Sequence, residues 1–325
     1  MRTARLHGAG DLRLHDEPDP IPGPGEVLLH VSAVGLCGSD RHWFEHGSIG
    51  GTGLDRPLVP GHEIAAVIAA GPEAGLRVAV EPAVPCGTCR TCRAGQVELC
   101  PTARFAGYGP TDGGLRTMMA WPRHLLRPVP GEIPDAEVAV LEALGVALHA
   151  VHLAGVDSAS RVAVVGCGPI GLLVIRALRA AGVHAIAGVE PLPHRAAAAG
   201  SAGASFGVAA EVDVAIECAG TDDAVDTAIA LTRPGGRVVL VGIPGTDRTT
   251  FTASVARRKG LLLILCRRMR PADLGRAIDL AASGTIDVES VISHRFGLEE
   301  VGSAFRILAG QAGLKVVVEM SGDLP

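Results

Sequence analysis

The sequence predicts an α/β chain of two parts: an irregular, mostly β region and a doubly wound region built on a parallel sheet. Three observations predict it. At 325 residues the chain is too long for one ordinary domain and suits two, each burying its own core. From Met1 to about Leu141 short Val, Leu and Ile runs alternate with Gly and Pro, as in Glu26-Val27-Leu28-Leu29-His30-Val31 and Arg77-Val78-Ala79-Val80, a pattern of short strands and turns. From about Val162 strand-like and helix-like stretches alternate, which implies a parallel sheet.

The second region reads element by element. Val162 to Val165 is a buried strand, Pro169 to Ala181 a helix, and Ile186 to Val189 a strand again. An Ala-rich helix covers Ala196 to Ala199, and further strands are expected at Val214-Ala215-Ile216 and Val238-Val239-Leu240-Val241. Gly260 to Cys266, with five consecutive aliphatic residues, is either a central strand or an edge. No repeat of 20 to 50 residues occurs.

Composition narrows the class. With 48% hydrophobic and 19% charged residues, 43 Gly and 22 Pro, the chain is expected to be a soluble globular protein rich in turns. A net charge of -5 without a Lys/Arg cluster argues against nucleic acid as a partner. Met1-Arg2-Thr3-Ala4-Arg5-Leu6 lacks an apolar signal core, and no apolar run is expected to reach the roughly 20 residues of a bilayer span, so no membrane partner and a cytoplasmic location are expected.

Four of the eight cysteines fall between Cys86 and Cys100. Cys86, Cys89, Cys92 and Cys100 form a C-x2-C-x2-C-x7-C array, and four thiolates so spaced can close a tetrahedral shell around Zn2+. Sulfur fills every position, so this zinc is structural. Gly166-Cys167-Gly168-Pro169-Ile170-Gly171 follows the first strand of the second region and opens its helix. There Gly166 permits the tight turn, Gly168 lets a pyrophosphate approach the backbone, and Gly171 lets the helix pack closely on the sheet. Glu190 ends the next strand, where an acid accepts hydrogen bonds from ribose hydroxyls and repels a 2′-phosphate. NAD is expected, with Arg195 leaving NADP as the lesser alternative.

A third set is scattered: Cys37-Gly38-Ser39-Asp40-Arg41-His42, then Gly61-His62-Glu63, then Glu142. Each alone is ordinary, but together they offer thiolate, imidazole and carboxylate, a mixed set suited to a catalytic zinc with an open position. Here the chain resembles the zinc-containing medium-chain dehydrogenases, and within them the sorbitol (L-iditol) and L-idonate 5-dehydrogenase branch. The resemblance runs from Gly35-Leu36-Cys37-Gly38-Ser39-Asp40 through Glu45-His46-Gly47-Ser48-Ile49-Gly50, Pro60-Gly61-His62-Glu63 and the four cysteines. It continues through Asp112-Gly113-Gly114, Glu142 and Arg233-Pro234-Gly235-Gly236 to Gly313-Leu314-Lys315.

The resemblance implies a partly closed, GroES-like catalytic zinc domain from residues 1–146 and 285–325, and a Rossmann domain for NAD from 147–284. It implies Cys37 and His62 as ligands of a catalytic zinc, with Glu63 and Glu142 sharing the roles of third ligand and anchor of the water. Ser39 and His42 would relay a proton, and Asp40 would accept a hydrogen bond from His62. Alcohol-type members carry cysteine where Glu142 stands, so Glu142 points to polyol or sugar substrates. Two zinc ions per chain, a small-molecule alcohol substrate and a homodimer or homotetramer are expected, with 260–266 as the edge strand. Two departures stand out. The stretch between Gly203-Ala204 and Val212-Asp213 is short for the family, and Arg267-Arg268-Met269-Arg270 offers arginines that could meet a substrate carboxylate. Oxidation of an aminocyclitol, of threonine or of another secondary alcohol is the enzymatic alternative. A catalytically inactive NAD- and zinc-binding protein is the non-enzymatic one.

Overall fold

Period-two alternation in the first 140 residues produces strands, and the 3.6-residue period after Pro169 produces helices. The structure, a computed structural model, describes residues 1–207, 211–245 and 248–320. It divides into two compact units, one of Met1–Glu142, Arg270–Ser283 and the segment from Val288 onward, the other of Ala143–Met269 and Gly284–Asp287. The sequence-based division, 1–146 with 285–325 against 147–284, departs from this chiefly at helix Asp273–Ala282, which groups with the first unit. Strand-helix alternation continues past Met269 without a break in pattern, so the sequence carries no sign of the crossing.

In the first unit one sheet runs in the order Leu126–Pro128, Arg77–Val80, Glu63–Ile68, Glu26–Leu36, Lys315–Glu319, Ile292–Gly297. The 11-residue strand Glu26–Leu36 organises it. Residues 26–30 of that strand pair with Met118–Pro122, and residues 33–36 pair with the C-terminal strand. Leu29, Val34 and Ile64 share one core with Phe305, Val316 and Val318, so both ends of the chain build this unit.

The second unit carries five parallel strands in the order Ala185–Val189, Arg161–Val165, Val212–Glu217, Thr232–Leu240, Leu262–Leu265. The aliphatic run at 260–266 therefore supplies an edge strand, with Leu262 53% and Leu265 77% exposed. Strand order reverses between Arg161–Val165 and Val212–Glu217, and in such sheets ligands bind beyond the carboxyl ends of the strands at that point. Of the shortened stretch, residues 208–210 lie outside the described residues; Ser205 makes a single parallel bridge to Ala187, where a further strand would stand.

One expectation is corrected. Helix Asp135–Ala154 is long and apolar enough to cross a membrane by length and composition, although no such run was anticipated. Its most apolar window is 72% buried within the protein, the condition of a core helix, and Glu142 lies within it.

Candidate active site and metal centres

The mixed donor set assembles where two strands face each other. Cys37 follows strand Glu26–Leu36 and is the N-cap of helix Gly38–His46, while Glu63 opens the neighbouring strand, paired in register with Gly35. A β-carbon on Gly35 would stand 2.2 Å from Glu63 Oε2, so the missing side chain makes room for the carboxylate. Cys37, His62 and Glu63 each present one ligating atom, all within 4.8 Å of one another. Glu142 is buried and feels His62 and Glu63 electrostatically, but it falls outside that close set.

The charges of this cluster call for a cation. Burial alone would lower the basicity of His62, yet its hydrogen bond to Cys37 and the fields of Asp40, Cys37 and Glu142 raise it to about 10. Burial pushes the Glu142 carboxyl up to about 7, with His62 opposing and Glu63 adding to the rise. Glu63 Oε2 is buried without a hydrogen-bond partner. An orphaned carboxylate oxygen beside a thiol and an imidazole fits a zinc ion, since buried charge otherwise carries a heavy desolvation cost.

The other oxygen is occupied. Glu63 Oε1 accepts a 2.6 Å hydrogen bond from Lys315 Nζ, which also donates to the Leu36 carbonyl at 3.1 Å, and both side chains are fully buried. Lys315 is thus a site residue whose role the sequence did not disclose. The signal was a lysine at the head of the apolar strand Lys315-Val316-Val317-Val318, a position that demands a buried partner.

Ser39 and His42 stand three residues apart on helix Gly38–His46, on one face, with His42 buried and Ser39 half-buried. Asp40 corrects an expectation. Its carboxylate accepts from the backbone N–H of Cys37 at 2.9 Å and of Gly61 at 3.0 Å, and its nearest approach to His62 Nδ1 is 4.0 Å. Asp40 therefore fixes the two ligand-bearing loops directly and acts on His62 through its field. The helix N-terminus and the Gly61 turn leave N–H groups that outcompete the imidazole for its oxygens.

The four-cysteine loop is chemically uniform. The sulfurs of Cys86, Cys89, Cys92 and Cys100 lie within 4.8 Å of one another, and those of Cys89 and Cys100 are 3.9 Å apart. A tetrahedron with Zn–S of about 2.3 Å has edges of about 3.8 Å, so the spacing fits zinc. The N–H of Cys86 points at Cys100 Sγ and that of Cys89 at Cys86 Sγ, each at 3.4 Å. Backbone and hydroxyl donors, led by Thr88, hold the Cys86 thiol low, while burial and neighbouring thiols push Cys92 up.

In the second unit Gly166 has φ 87°, and a β-carbon there would lie 2.8 Å from Ala219 N; one on Gly171 would lie 2.0 Å from Gly166 O. Gly168 caps helix Pro169–Ala180, whose first position is Pro169 and second Ile170. Glu190 accepts from Cys167 N at 2.8 Å and Leu192 N at 2.9 Å, so it braces the glycine turn, with lone pairs left on each oxygen. The Arg195 guanidinium comes within 3.3 Å of the point where a Gly168 β-carbon would be. Of the arginines at 267–270, Arg270 is held by Asp273 through bonds of 3.0 and 2.7 Å, which removes it as a carboxylate receptor.

Residues 23–131 match the alcohol dehydrogenase GroES-like domain, and residues 169–283 match the zinc-binding dehydrogenase family. Sorbitol dehydrogenase of Bos taurus is 33% identical, covering 97% of this chain and 94% of its own; that of Gallus gallus is 35% identical, covering 97% and 95%. The crystal structure of L-idonate 5-dehydrogenase from Escherichia coli superposes with a TM-score of 0.89 at 25% identity, covering 98% of each chain. With its GroES-like unit, parallel sheet and two sets of metal-ligating side chains, the chain belongs to the zinc-containing medium-chain dehydrogenases, the NAD(P)-linked alcohol dehydrogenases of this architecture.

Proposed function

We propose that the protein oxidises a secondary hydroxyl of a polyol or sugar acid, of the L-iditol/sorbitol or L-idonate type, and passes the hydride to NAD. The observation that carries this reading is the buried carboxylate of Glu142 within the field of His62 and Glu63, at a position where the resemblance implies cysteine for alcohol-type members. The relatives' names, sorbitol dehydrogenase and L-idonate 5-dehydrogenase, agree with it.

In this reading the unit containing both chain ends is the catalytic zinc domain and the five-stranded unit the NAD domain. Two zinc ions bind per chain, one at Cys37, His62 and Glu63, the other at the four cysteines. Zinc held by Cys37, His62 and Glu63 would supply Lewis acidity to the substrate hydroxyl, and a bound nicotinamide would be the hydride acceptor. The residues do the rest. Lys315 fixes one oxygen of Glu63 and leaves the other free to ligate. Glu142 places a buried carboxyl beside the set, where it acts through its field, and Ser39 and His42 would carry the hydroxyl proton away. Gly166, Gly168, Pro169, Ile170 and Gly171 cradle the pyrophosphate, Glu190 meets the adenosine ribose, and Arg195 lies beside the turn.

The exposed edge strand Leu262–Leu265 supports a homodimer or homotetramer, because an uncovered apolar edge invites pairing. Eight free thiols support a cytoplasmic location.

The test is a kinetic screen of purified protein with NAD and NADP against polyols, aldonic acids, cyclitols, threonine and primary alcohols. The expected outcome is a higher kcat/KM with NAD and with an open-chain polyol or aldonic acid. A preference for NADP overturns the role of Glu190, and a preference for cyclitols or threonine overturns the substrate class.

A further inference from the structure

The site residues discussed so far leave one buried acid of the second unit without a role. Glu217 ends strand Val212–Glu217, is 1% exposed, and lies on the side of the strand-order reversal away from Glu190. Its main chain is stitched to both neighbouring strands: the next residue, Cys218, donates to Val165 O at 2.8 Å, and Val241 donates to Glu217 O at 2.8 Å. Its side chain then turns back on the loop that follows. Oε1 accepts from Ala219 N and from Gly220 N, both at 2.6 Å.

Those two N–H groups belong to a place where three loops meet backbone to backbone. A β-carbon on Gly166, the first glycine of the nucleotide turn, would lie 2.8 Å from Ala219 N. One on Gly220, which has φ 73°, would lie 2.3 Å from Ile243 O, and one on Gly242 would lie 2.1 Å from Gly220 N and 2.9 Å from Glu217 Oε1. Besides the Ala219 β-carbon, the Glu217 carboxylate is the side chain that enters the junction among the described residues. It orders the 218–220 loop, which packs against the 242–243 loop at Gly220, Gly242 and Ile243.

We infer that Glu217 is a positioning residue for the nicotinamide half of the dinucleotide. The inference rests on the reading of this unit as the NAD site. In a doubly wound sheet the two halves of a dinucleotide bind on opposite sides of the reversal point. Glu190 and strand Ala185–Val189 serve the adenosine side, so the loops that Glu217 fixes, after strands Val212–Glu217 and Thr232–Leu240, border the other half. Replacing the carboxylate by a methyl group leaves the Ala219 and Gly220 N–H groups without their acceptor and frees both loops, whereas glutamine keeps an acceptor oxygen at the same reach.

The experiment compares NADH and AMP binding to the zinc-loaded protein. NADH affinity is read from nicotinamide fluorescence, and AMP from competition with NADH. Glu217→Ala is expected to weaken NADH by about tenfold, the scale of one or two lost hydrogen bonds to a charged acceptor. AMP should stay within about twofold, and Glu217→Gln should restore NADH to within about threefold. Unchanged NADH binding in Glu217→Ala, or equal loss of NADH and AMP, overturns the inference. Should the alanine variant not be recovered folded, Glu217→Asp, too short to span both N–H groups, replaces it under the same criteria. A wild-type protein that binds neither ligand would instead refute the NAD reading itself.

Discussion

The two sets of metal-ligating side chains solve opposite problems. The loop at 86–100 is partly exposed, gathers its ligands from 15 consecutive positions, and surrounds the metal position with sulfur alone. The cluster at Cys37, His62 and Glu63 is more deeply buried and mixes three ligand types. It is ringed by further charges in Asp40, Glu142 and Lys315. Closure serves stability and an open, charged shell serves chemistry. Exchanging a ligand for a poor one should therefore separate the two properties.

The largest expected effect comes from removing one ligand of each cluster. Cys37→Ser should drop metal content from two ions to one and turnover by at least about a hundredfold, with circular dichroism and denaturation midpoint near wild type. Cys100→Ser should also lose one ion but keep turnover per folded chain, while its denaturation midpoint falls, since structural zinc contributes folding energy directly. Full activity in Cys37→Ser, or an unchanged midpoint in Cys100→Ser, would break the division of labour.

A smaller effect sharpens the comparison within the mixed cluster. Glu142 does not share the close ligand set, yet it is buried against it, and burial holds its carboxyl at about 7. Glu142→Gln keeps the shape and removes a negative charge. Turnover should fall about tenfold while NADH affinity stays constant. Losing the charge also makes it easier for the substrate hydroxyl to give up its proton, so the acid limb of the kcat profile should move to lower pH. An unchanged profile with near wild-type turnover would leave Glu142 as a structural carboxylate.

The same contrast governs what could be read from sequence. The four cysteines were legible because local spacing alone defines their shell. The glycine turn was legible because its strand, helix and Glu190 follow in order. The mixed cluster was legible from its residues as a donor set and by resemblance as an assembled one, since Cys37 and Glu142 are far apart along the chain. The role of Lys315 was missed for a similar reason: its place at the head of an apolar strand calls for a buried partner, but that partner, Glu63, lies 252 residues away. The Asp40 expectation went astray because backbone N–H groups at a helix start and a turn compete with side chains for a carboxylate, a contest decided by loop geometry. Helix Asp273–Ala282, expected with the nucleotide region, groups with the first unit; its amphipathic face records that it packs, not where.

The smallest predicted effect lies at the entrance to the four-cysteine loop. Glu81 follows strand Arg77–Val80, and its backbone is held on both sides: its N–H donates to Leu125 O at 2.9 Å, and its carbonyl accepts from Trp121 Nε1 at 2.9 Å. The carboxyl is therefore kept in a buried position, where burial pushes it up to about 7 against the weaker pull of Arg127, 3.4 Å away. Because the folded value exceeds the unfolded one of 4.5, the native protein holds the extra proton between these two values. Stability from this group is thus fully present below about pH 4.5 and lost as pH rises through about 7, amounting to roughly 1–3 kcal/mol. Glu81→Gln mimics the protonated form and keeps the Arg127 contact. The two proteins should have nearly equal urea midpoints at pH 4.5, with the variant increasingly the more stable up to pH 8. Running both with saturating zinc cancels titration at the metal clusters, which the two proteins share. Parallel midpoint curves from pH 4.5 to 8 would show that Glu81 is already ionised in the fold, and that the entrance to the closed cluster tolerates charge as the mixed cluster does.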